Sequence, residues 1–451
     1  MMYCFSLAKN LNENPIKIAE EIASKIKEII DEKIEINAVN GYVNFNSDTK
    51  WLAKKILIEK YDFFKDMNKN KILIEHTSAN PNGPFHVGRA RNAILGDALV
   101  RLNRDFGNDV LAEYYVDDMG KQVGILAWAI ENLTSEEVEN TLKNKDIDDL
   151  NPMWKDKQDH VRVRWYQAAN VLRKDNENIE TELSILIKKS EDGDSQILTQ
   201  FNNAFQPILD GMLETLSKLG IEYNSFTNES KFIIDGSVSE IMNDLKKSEL
   251  YGEAENGAKF LELETKGVSG KSTKFFFQRG DGSSLYATRD LAYHQWKWSQ
   301  SDKLINVLGE DHRLQSKQVS IALNELNIKS PEVIFYAFIK LPEGKMSTRS
   351  GNVVFMDDLI FEAENIALKI LSERKNNFVQ AESIKIAKAV ASSAIRFNIL
   401  KVSPEKGFTF KWEDALSFDA DSAPFIMYSH ARSCSIKKKV DALGHIEKEI
   451  D

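Results

Sequence analysis

Cysteine is nearly absent from this chain: Cys4 and Cys434 are the only two among 451 residues. Two thiols build neither a disulfide framework nor a Cys-rich zinc site, and a reducing cytoplasm is the simplest setting for such a composition. Long apolar runs are missing too. No stretch approaches the roughly 18 residues that a membrane span requires. The first residues contain no apolar segment of the kind that directs secretion. There is no internal repeat and no low-complexity tract. A surplus of positive charge is likewise lacking, since 59 Lys and Arg stand against 69 Asp and Glu, a net charge of −10. That balance argues against indiscriminate nucleic-acid binding, while a local basic face could still recognise RNA.

What is present suffices for several cores. The hydrophobic fraction is 42%, with 10% aromatic residues, in a chain long enough for two to four domains. Residues 1–65 read as a small α+β unit. Apolar positions at 16, 18, 19, 22, 23, 26, 29 and 30 predict an amphipathic helix, with Pro15 in its first turn. Asn40-Gly41 sits between two alternating runs, a strand–turn–strand signal. The unit is expected to begin without a leading strand or helix. Residues 71–76 predict a buried strand, 85–106 a helix ended by Gly107, and 110–116 a second strand. This opens a doubly wound parallel sheet of α/β class. Residues 125–230 are patterned as a helical insertion. A β-rich stretch follows, with strands expected at 260–264, 275–278, 285–288, 304–308 and 333–339. Helices are expected to dominate from Asp357 onward.

Two segments carry the chemistry. The first, Glu75-His-Thr-Ser-Ala-Asn-Pro-Asn-Gly-Pro-Phe-His86-Val-Gly88-Arg89, joins the first strand to the first helix of the sheet. The free N–H groups and positive dipole end of a helix that starts near His86 suit phosphates, and Gly88 permits close approach of a ring. The bland alternative is a His that caps a helix beside a Gly that allows close packing. The second segment, Lys345-Met346-Ser347-Thr348-Arg349-Ser-Gly351, is a basic loop, or else a charged surface turn. Between them, Gly309-Glu-Asp311-His312 lies at a strand's C-terminal end, the ligand edge of such a sheet. Tyr286 and Asp290 are one helical turn apart, so a helix would place both on one face.

Together the two segments resemble the nucleotide-binding elements of class I aminoacyl-tRNA synthetases. The residues around them resemble the arginyl-tRNA synthetase family in its archaeal style. The resemblance runs from about Phe5 to the end and is most specific over 72–122, 284–318 and 338–356. It implies a Rossmann-type core (66–124 and 231–356) interrupted by the helical insertion. An N-terminal tRNA-elbow-binding domain, connecting helices at 357–390 and the start of a helical anticodon-binding domain at 391–451 complete the scheme. Both ends are expected to be shorter than in full-length relatives. The implied activity is an arginine–tRNA ligase that uses ATP with Mg²⁺, L-arginine and tRNA(Arg), with no resident structural metal and as a monomer. Activation of arginine is expected to need bound tRNA. A relative that binds nucleotide or RNA without completing aminoacylation is the alternative.

The resemblance also assigns residues. His86, Arg89, Lys345 and Arg349 would be catalytic. Pro84, His86, Gly88, Gly309, Asp311, His312, Met346 and Ser347 would hold ATP. Glu75, Asn80, Asp118, Gln122, Tyr286, Asp290 and Gln318 would hold arginine, with Asp117 a further acidic candidate. His430 and Arg432 would face tRNA. Two positions depart from the family pattern: Arg89 stands where His is usual in His-x-Gly-His, and Thr348 where the second Lys of Lys-Met-Ser-Lys-Ser is usual. Phe408, Phe410, Trp412, Phe425 and Ile426 are expected to lack apolar partners.

Overall fold

The structure is a computed structural model that describes residues 3–30, 32–59, 69–270, 273–340, 354–373, 379–415, 417 and 421–442. The chain divides into two compact units, Met1–Asn68 with Val440–Asp451, and Lys69–Lys439.

The N-terminal unit begins with a helix, α1 (Tyr3–Leu11), contrary to the expectation that none precedes Pro15. Cys4, near its start, is fully buried in the unit's core. Helix α2 (Pro15–Lys27) follows, capped by the Asn14 side chain on the Ile16 N–H at 2.9 Å. Strands β1 (Ile34–Val39) and β2 (Tyr42–Ser47) form the expected hairpin. Asn40 and Gly41 both take positive φ, 51° and 81°, as a two-residue turn of right-handed strand twist requires. Ile18, Ala19 and Ala23 of α2 pack on Ile36 and Val43, and α3 (Thr49–Glu59) completes the unit.

The larger unit is built on a five-stranded parallel sheet. Strand β3 (Lys71–Glu75) lies at its centre, followed in sequence by α4 (Val87–Asp105) and β4 (Asp109–Val116). Gly107, at φ 83°, turns the chain from α4 into β4. Helices α5 (Lys121–Asn132), α6 (Ser135–Lys143), α7 (Gln158–Leu172), α8 (Glu177–Glu191) and α9 (Ser195–Lys218) form the expected helical excursion. It closes on β5 (Ser225–Asn228), an edge strand paired with β4 that lies inside the stretch read as helical. Four largely polar residues on a sheet edge give no apolar alternation from which to detect a strand.

Helices α10 (Lys231–Ile234) and α11 (Ser237–Leu245) lead to a small antiparallel sheet of β6 (Tyr251–Glu253), β7 (Lys259–Glu262) and β8 (Lys274–Gln278). Residues 285–288, expected as a strand, instead open helix α12 (Tyr286–Gln300). A tight turn, with Arg279 N–H donating to Ser283 O at 2.8 Å, ends the β-structure after the Gln278–Ser284 bridge. Strand β9 (Lys303–Gly309), α13 (Arg313–Glu325) and β10 (Glu332–Tyr336) complete the main sheet, whose order is β10-β9-β3-β4-β5. The expected strand over 333–339 is split. Ala337 N–H donates to Pro404 O at 2.8 Å, and β11 (Ile339–Lys340) pairs instead with β12 (Phe408–Thr409). Helices α14 (Met356–Glu373), α15 (Gln380–Leu400), α16 (Trp412–Ala415) and α17 (Ala423–Ala442) make the remainder.

The principal core joins α4, α5, α9, α14 and α15 on one face of the sheet, and a second core lies under α11, α12 and α13. Phe410 is fully buried in the first and Phe408 packs against it, so these two have apolar partners. Phe425 and Ile426 are exposed, as expected of residues without them. No described helix is long and apolar enough to cross a membrane.

Candidate active site

The strand order reverses direction between β3 and β9, and ligands of such sheets bind outside the strands' carboxyl ends at that point. Glu75 ends β3, and its register partner across the reversal is Asn306 of β9. A cavity of about 440 Å³ opens there. Glu75, Asn80, Arg89, Tyr286, Asp290, Gly309 and His312 all line it, as does Asp117. Residues separated by more than 200 positions in sequence are thus gathered at one sheet edge.

The floor is backbone held under strain. Thr77 and Ser78 adopt φ of 69° and 40°, a region that side chains, above all β-branched ones, rarely enter. Such a residue costs about 1–3 kcal/mol and persists only where its surroundings fix it. Asn92 of α4 does so, accepting from Thr77 N–H at 2.6 Å and donating to Val307 O at 2.9 Å. Tyr223 OH adds a bond to Thr77 Oγ1 at 2.5 Å. His76 packs beneath, its imidazole 4.8 Å from the Tyr223 ring and its pKa lowered to about 4 by burial, with Asp97 opposing. A Cβ at Gly96 would fall 2.2 Å from His76 Cγ, so only glycine admits this ring.

His86 stands at the N-cap of α4 and makes no side-chain capping bond, so capping does not account for it. Its ring lies over Gly88, where a Cβ would meet Nδ1 at 3.0 Å. Burial and then the Arg89 charge lower its pKa to about 4, so the imidazole is neutral near pH 7 and donates through one nitrogen. Pro84 is buried in the turn before it, where Gly83 lies against Val163 of α7. At the end of β9, a side chain at Gly309 would collide with the Asp311 carboxylate at 2.5 Å. Asp311 is exposed and His312 bonds Gln315 Oε1 at 3.1 Å. Lys345, Met346, Ser347, Thr348 and Arg349 lie outside the described residues.

The described chain on either side of those residues is firmly held. Before them, the fully buried Arg91 guanidinium donates to the carbonyls of Ala337, Lys406, Val402 and Ser403 at 2.6–3.2 Å. After them, His86 bridges Phe355, with Val87 N–H donating to Val354 O at 3.0 Å and Met356 N–H to Phe85 O at 2.7 Å. Asp357, in the first turn of α14, then enters a buried cluster. Lys157 Nζ donates to it at 2.9 Å and to Asp159 at 2.6 Å, His160 Nε2 bonds it at 3.0 Å, and Thr215 Oγ1 donates at 3.0 Å. Burial would raise the Asp357 carboxyl, but His160 and Lys157 outweigh it and bring the pKa to about 2. Asp159, His160 and Asp357 have ligand spacing. The Lys157 ammonium already sits between the two carboxylates, so this is an ion-pair node and not a metal site.

The wall of the cavity that α12 and the end of β3 form is acidic. Tyr286, Asp290, His294 and Lys297 follow one face of α12 at helical spacing. Asp290 Oδ1 is 3.2 Å from His294 Nδ1. Burial alone would raise the Asp290 pKa, yet His294, Lys297 and His312 lower it overall, and its carboxylate is ionised. Lys297, fully buried, donates to Glu75 Oε2 at 2.6 Å and to Asn306 Oδ1 at 3.2 Å. Ser78 Oγ donates to the other Glu75 oxygen at 3.1 Å. Asp117 is pushed up to about 6 by burial, against a hydrogen bond from Glu229 and the charge of Arg289. Asn80 and Asn82 both donate to Gln122 Oε1 at 3.0 Å, placing Gln122 immediately behind Asn80.

Pro84, His86, Gly88, Asp311 and Gln122 are not among the residues that line this cavity, and Asp118 and Gln318 are turned away from it. Asp118 does not line the cavity: its carboxylate turns away to take the Ser230 N–H at 2.9 Å and the Ser230 hydroxyl at 2.5 Å. Successive residues of the extended chain after β4 point oppositely, so Asp117 faces the cavity in its place. On α13, Gln315, Ser316 and Val319 face the cavity, while Gln318 lies about 130° around the helix from the centre of that face. His430 and Arg432 are exposed on α17, as are Lys437, Lys438 and Lys439. Sequence reading did not single out Asn92, His294, Lys297 or Gln315. The spacing 286, 290, 294, 297 was a usable signal for two of them, whereas Asn92 acts on backbone and leaves no pattern.

Comparison with known proteins agrees with this architecture. Residues 53–412 match the family model for class I tRNA synthetase (R) catalytic domains, and residues 2–46 that for arginyl-tRNA synthetase N-terminal domains. The chain is 42% identical over 441 residues to an arginine–tRNA ligase of Methanocella arvoryzae, covering 96% of this chain and 75% of that protein. It is 39% identical to one from Archaeoglobus fulgidus, covering 99% and 77%. The solved structure of Thermus thermophilus arginyl-tRNA synthetase superposes with a TM-score of 0.73 at 25% identity, over 98% of this chain and 76% of that one. With its parallel core, its switch-point cavity and its acidic pocket wall, the chain belongs to the arginyl-tRNA synthetase family of class I aminoacyl-tRNA ligases.

Proposed function

We propose that the cavity at the β3–β9 reversal is where this arginine–tRNA ligase binds L-arginine and ATP. The observation that carries the reading is one enclosure shared by Glu75, Asn80, Asp117, Tyr286 and Asp290 with Arg89, Gly309 and His312. The guanidinium of arginine would meet the ionised Asp290, and Tyr286 would pack on the side chain's aliphatic and planar parts. Asn80, backed by Gln122, and Glu75 would take the α-amino and carboxylate end. ATP would lie toward His86, Gly88 and Arg89, with Pro84 shaping the turn and Gly309, Asp311 and His312 on the ribose side.

The arginine carboxylate oxygen attacks the α-phosphorus of ATP. The bond from that phosphorus to the bridging oxygen breaks, and pyrophosphate leaves with the Mg²⁺ that entered as part of the nucleotide substrate. His86, Arg89, Lys345 and Arg349, with Met346 and Ser347 in the same loop, would stabilise charge that develops on the phosphates. The 3′-terminal ribose hydroxyl of tRNA(Arg) then attacks the arginyl carbonyl carbon and AMP departs. His430 and Arg432 are the proposed tRNA contacts among the C-terminal residues, and the active species is a monomer.

The test is aminoacylation with each of the twenty labelled amino acids, run beside tRNA-dependent pyrophosphate exchange. Charging by arginine alone is expected. Arginine-dependent exchange without charging would locate the defect in RNA docking. A folded protein inactive in both assays would overturn the reading in favour of a non-catalytic relative.

A further inference from the structure

Lys297 is fully buried, and its ammonium lies between the two strands that flank the reversal in the sheet. It donates to Glu75 Oε2 of β3 at 2.6 Å and to Asn306 Oδ1 of β9 at 3.2 Å, and sits 4.1 Å from the centre of the Tyr293 ring. It also approaches His294 Nε2 at 3.3 Å, and Asn306 Nδ2 meets that same nitrogen at 2.9 Å. An ammonium only donates, so Nε2 is the acceptor and the His294 proton lies on Nδ1, directed at Asp290 O (2.8 Å) and Oδ1 (3.2 Å). One continuous hydrogen-bonded chain therefore links Asp290 through His294 and Lys297 to Glu75, the two carboxylates at opposite ends of the amino-acid side of the cavity.

We propose that Lys297 is a specificity-determining residue that adjusts the net charge presented to the amino acid: by neutralising Glu75 it leaves Asp290 as the one uncompensated carboxylate of this hydrogen-bonded network. The inference rests on the reading of the cavity as the arginine pocket. The network's net charge of −1 matches a ligand whose guanidinium and ammonium are offset by one carboxylate. It disfavours the corresponding amine that lacks the carboxylate and carries +2. Without Lys297 the network would carry −2 and match the dication. Selection of the amino acid over its decarboxylated amine is then built into the protein beneath the ligand, by a residue that need not touch it.

The measurement is binding of L-arginine and of agmatine, its decarboxylated amine, to the full chain by equilibrium dialysis at pH 7. The quantity read is the ratio of the agmatine to the arginine dissociation constant. Arg89, Asp117 and His312 also face the cavity, but they are common to all variants and cancel in comparisons of that ratio. Lys297→Met is expected to lower the ratio about tenfold, and Glu75→Gln to raise it about tenfold, as a unit charge near the ligand is removed with opposite sign. The double variant is expected to return within about threefold of the starting ratio. If Lys297→Met does not fold, the step from Glu75→Gln to the double variant tests the same charge without leaving an unpaired carboxylate. Equal shifts for both ligands in every variant would make Lys297 a packing residue and overturn the proposal alone. Unchanged affinity for both ligands in Asp290→Asn would overturn the pocket reading together with it.

Discussion

Two buried clusters in this molecule use the same ingredients and serve different ends. One joins Lys157, Asp159, His160 and Asp357, the other Lys297, Glu75, His294 and Asp290. In each a lysine ammonium lies between groups from distant parts of the chain and a histidine completes the pairing. Around Asp357 every direction is occupied: two lysines, a histidine and a threonine converge on one carboxylate, whose side chain is wholly inaccessible. Around Asp290 the carboxylate takes its proton-bearing neighbour on one side and faces an open cavity on the other. Composition therefore does not distinguish a structural ion-pair node from a binding site; unfilled hydrogen-bonding capacity at a cavity wall does.

The sharpest way to break this comparison is to remove one charge from each cluster. Asp290→Asn keeps shape and deletes the charge that would pair with a guanidinium. Truncating a charged, hydrogen-bonded partner costs about 2–5 kcal/mol of binding, so kcat/KM for arginine is expected to fall at least ~30-fold. The KM for ATP should stay within about twofold. Steady-state exchange kinetics with each substrate varied in turn would check this, and an equal loss for ATP would erase the distinction between the clusters.

Asp357→Asn should act on stability instead. Breaking a buried pair on one side costs about 3–5 kcal/mol, and Asp159 still pairs with Lys157, so the lower end, about 3 kcal/mol, is expected. Urea midpoints report it, with arginine affinity unchanged. If arginine affinity fell as far as for Asp290→Asn, the cluster would belong to the site.

Acid sharpens the same contrast by a smaller amount. The folded Asp357 pKa is about 2 against an ordinary value of 3.8. An unfolded chain thus takes up the proton first as pH falls, so the contribution is complete above about pH 4 and is lost on the way down to about pH 2. By pH 3 about 1 kcal/mol of it is gone. The difference in urea midpoint between the native chain and Asp357→Asn should therefore narrow between pH 5 and pH 3. A constant difference would mean that the carboxylate is not held low.

How far the sequence revealed these regions follows from the kind of signal each leaves. The first strand–helix–strand unit was legible because Ile72, Leu73 and Ile74 form a continuous apolar run and Gly107 ends the helix. The signature segments pointed to Glu75 and Asp290, which both line the cavity, because they lie in short words. Strand β5 left no apolar pattern, and the end of β10 was diverted by Pro404, 67 residues away from the Ala337 that donates to it. The Asp357 cluster draws on three helices and a turn, and no local spacing announces it. Asp118 and Gln318 were misplaced for one reason: neighbouring residues on an extended segment or a helix face different directions, and a motif fixes position along the chain but not the facing of each side chain.

The smallest predicted effect tests that last point on a single helix. Gln315 and Gln318 of α13 are alike in chemistry and nearly adjacent, but Gln315 lines the cavity beside His312 and Gln318 does not. Gln315→Ala removes an amide oxygen that accepts from the His312 ring, a bond worth about 0.5–1.5 kcal/mol, so the KM for a ligand seated against His312 should rise about twofold to tenfold. Gln318→Ala should leave both substrate KM values within about twofold, since its removal alters no cavity wall. The two variants cost little in stability, which makes the kinetic comparison clean. The opposite ranking would mean that α13 turns by about a quarter or more when substrates bind, and that the facing of this helix, unlike the strand ends, is set by the ligand.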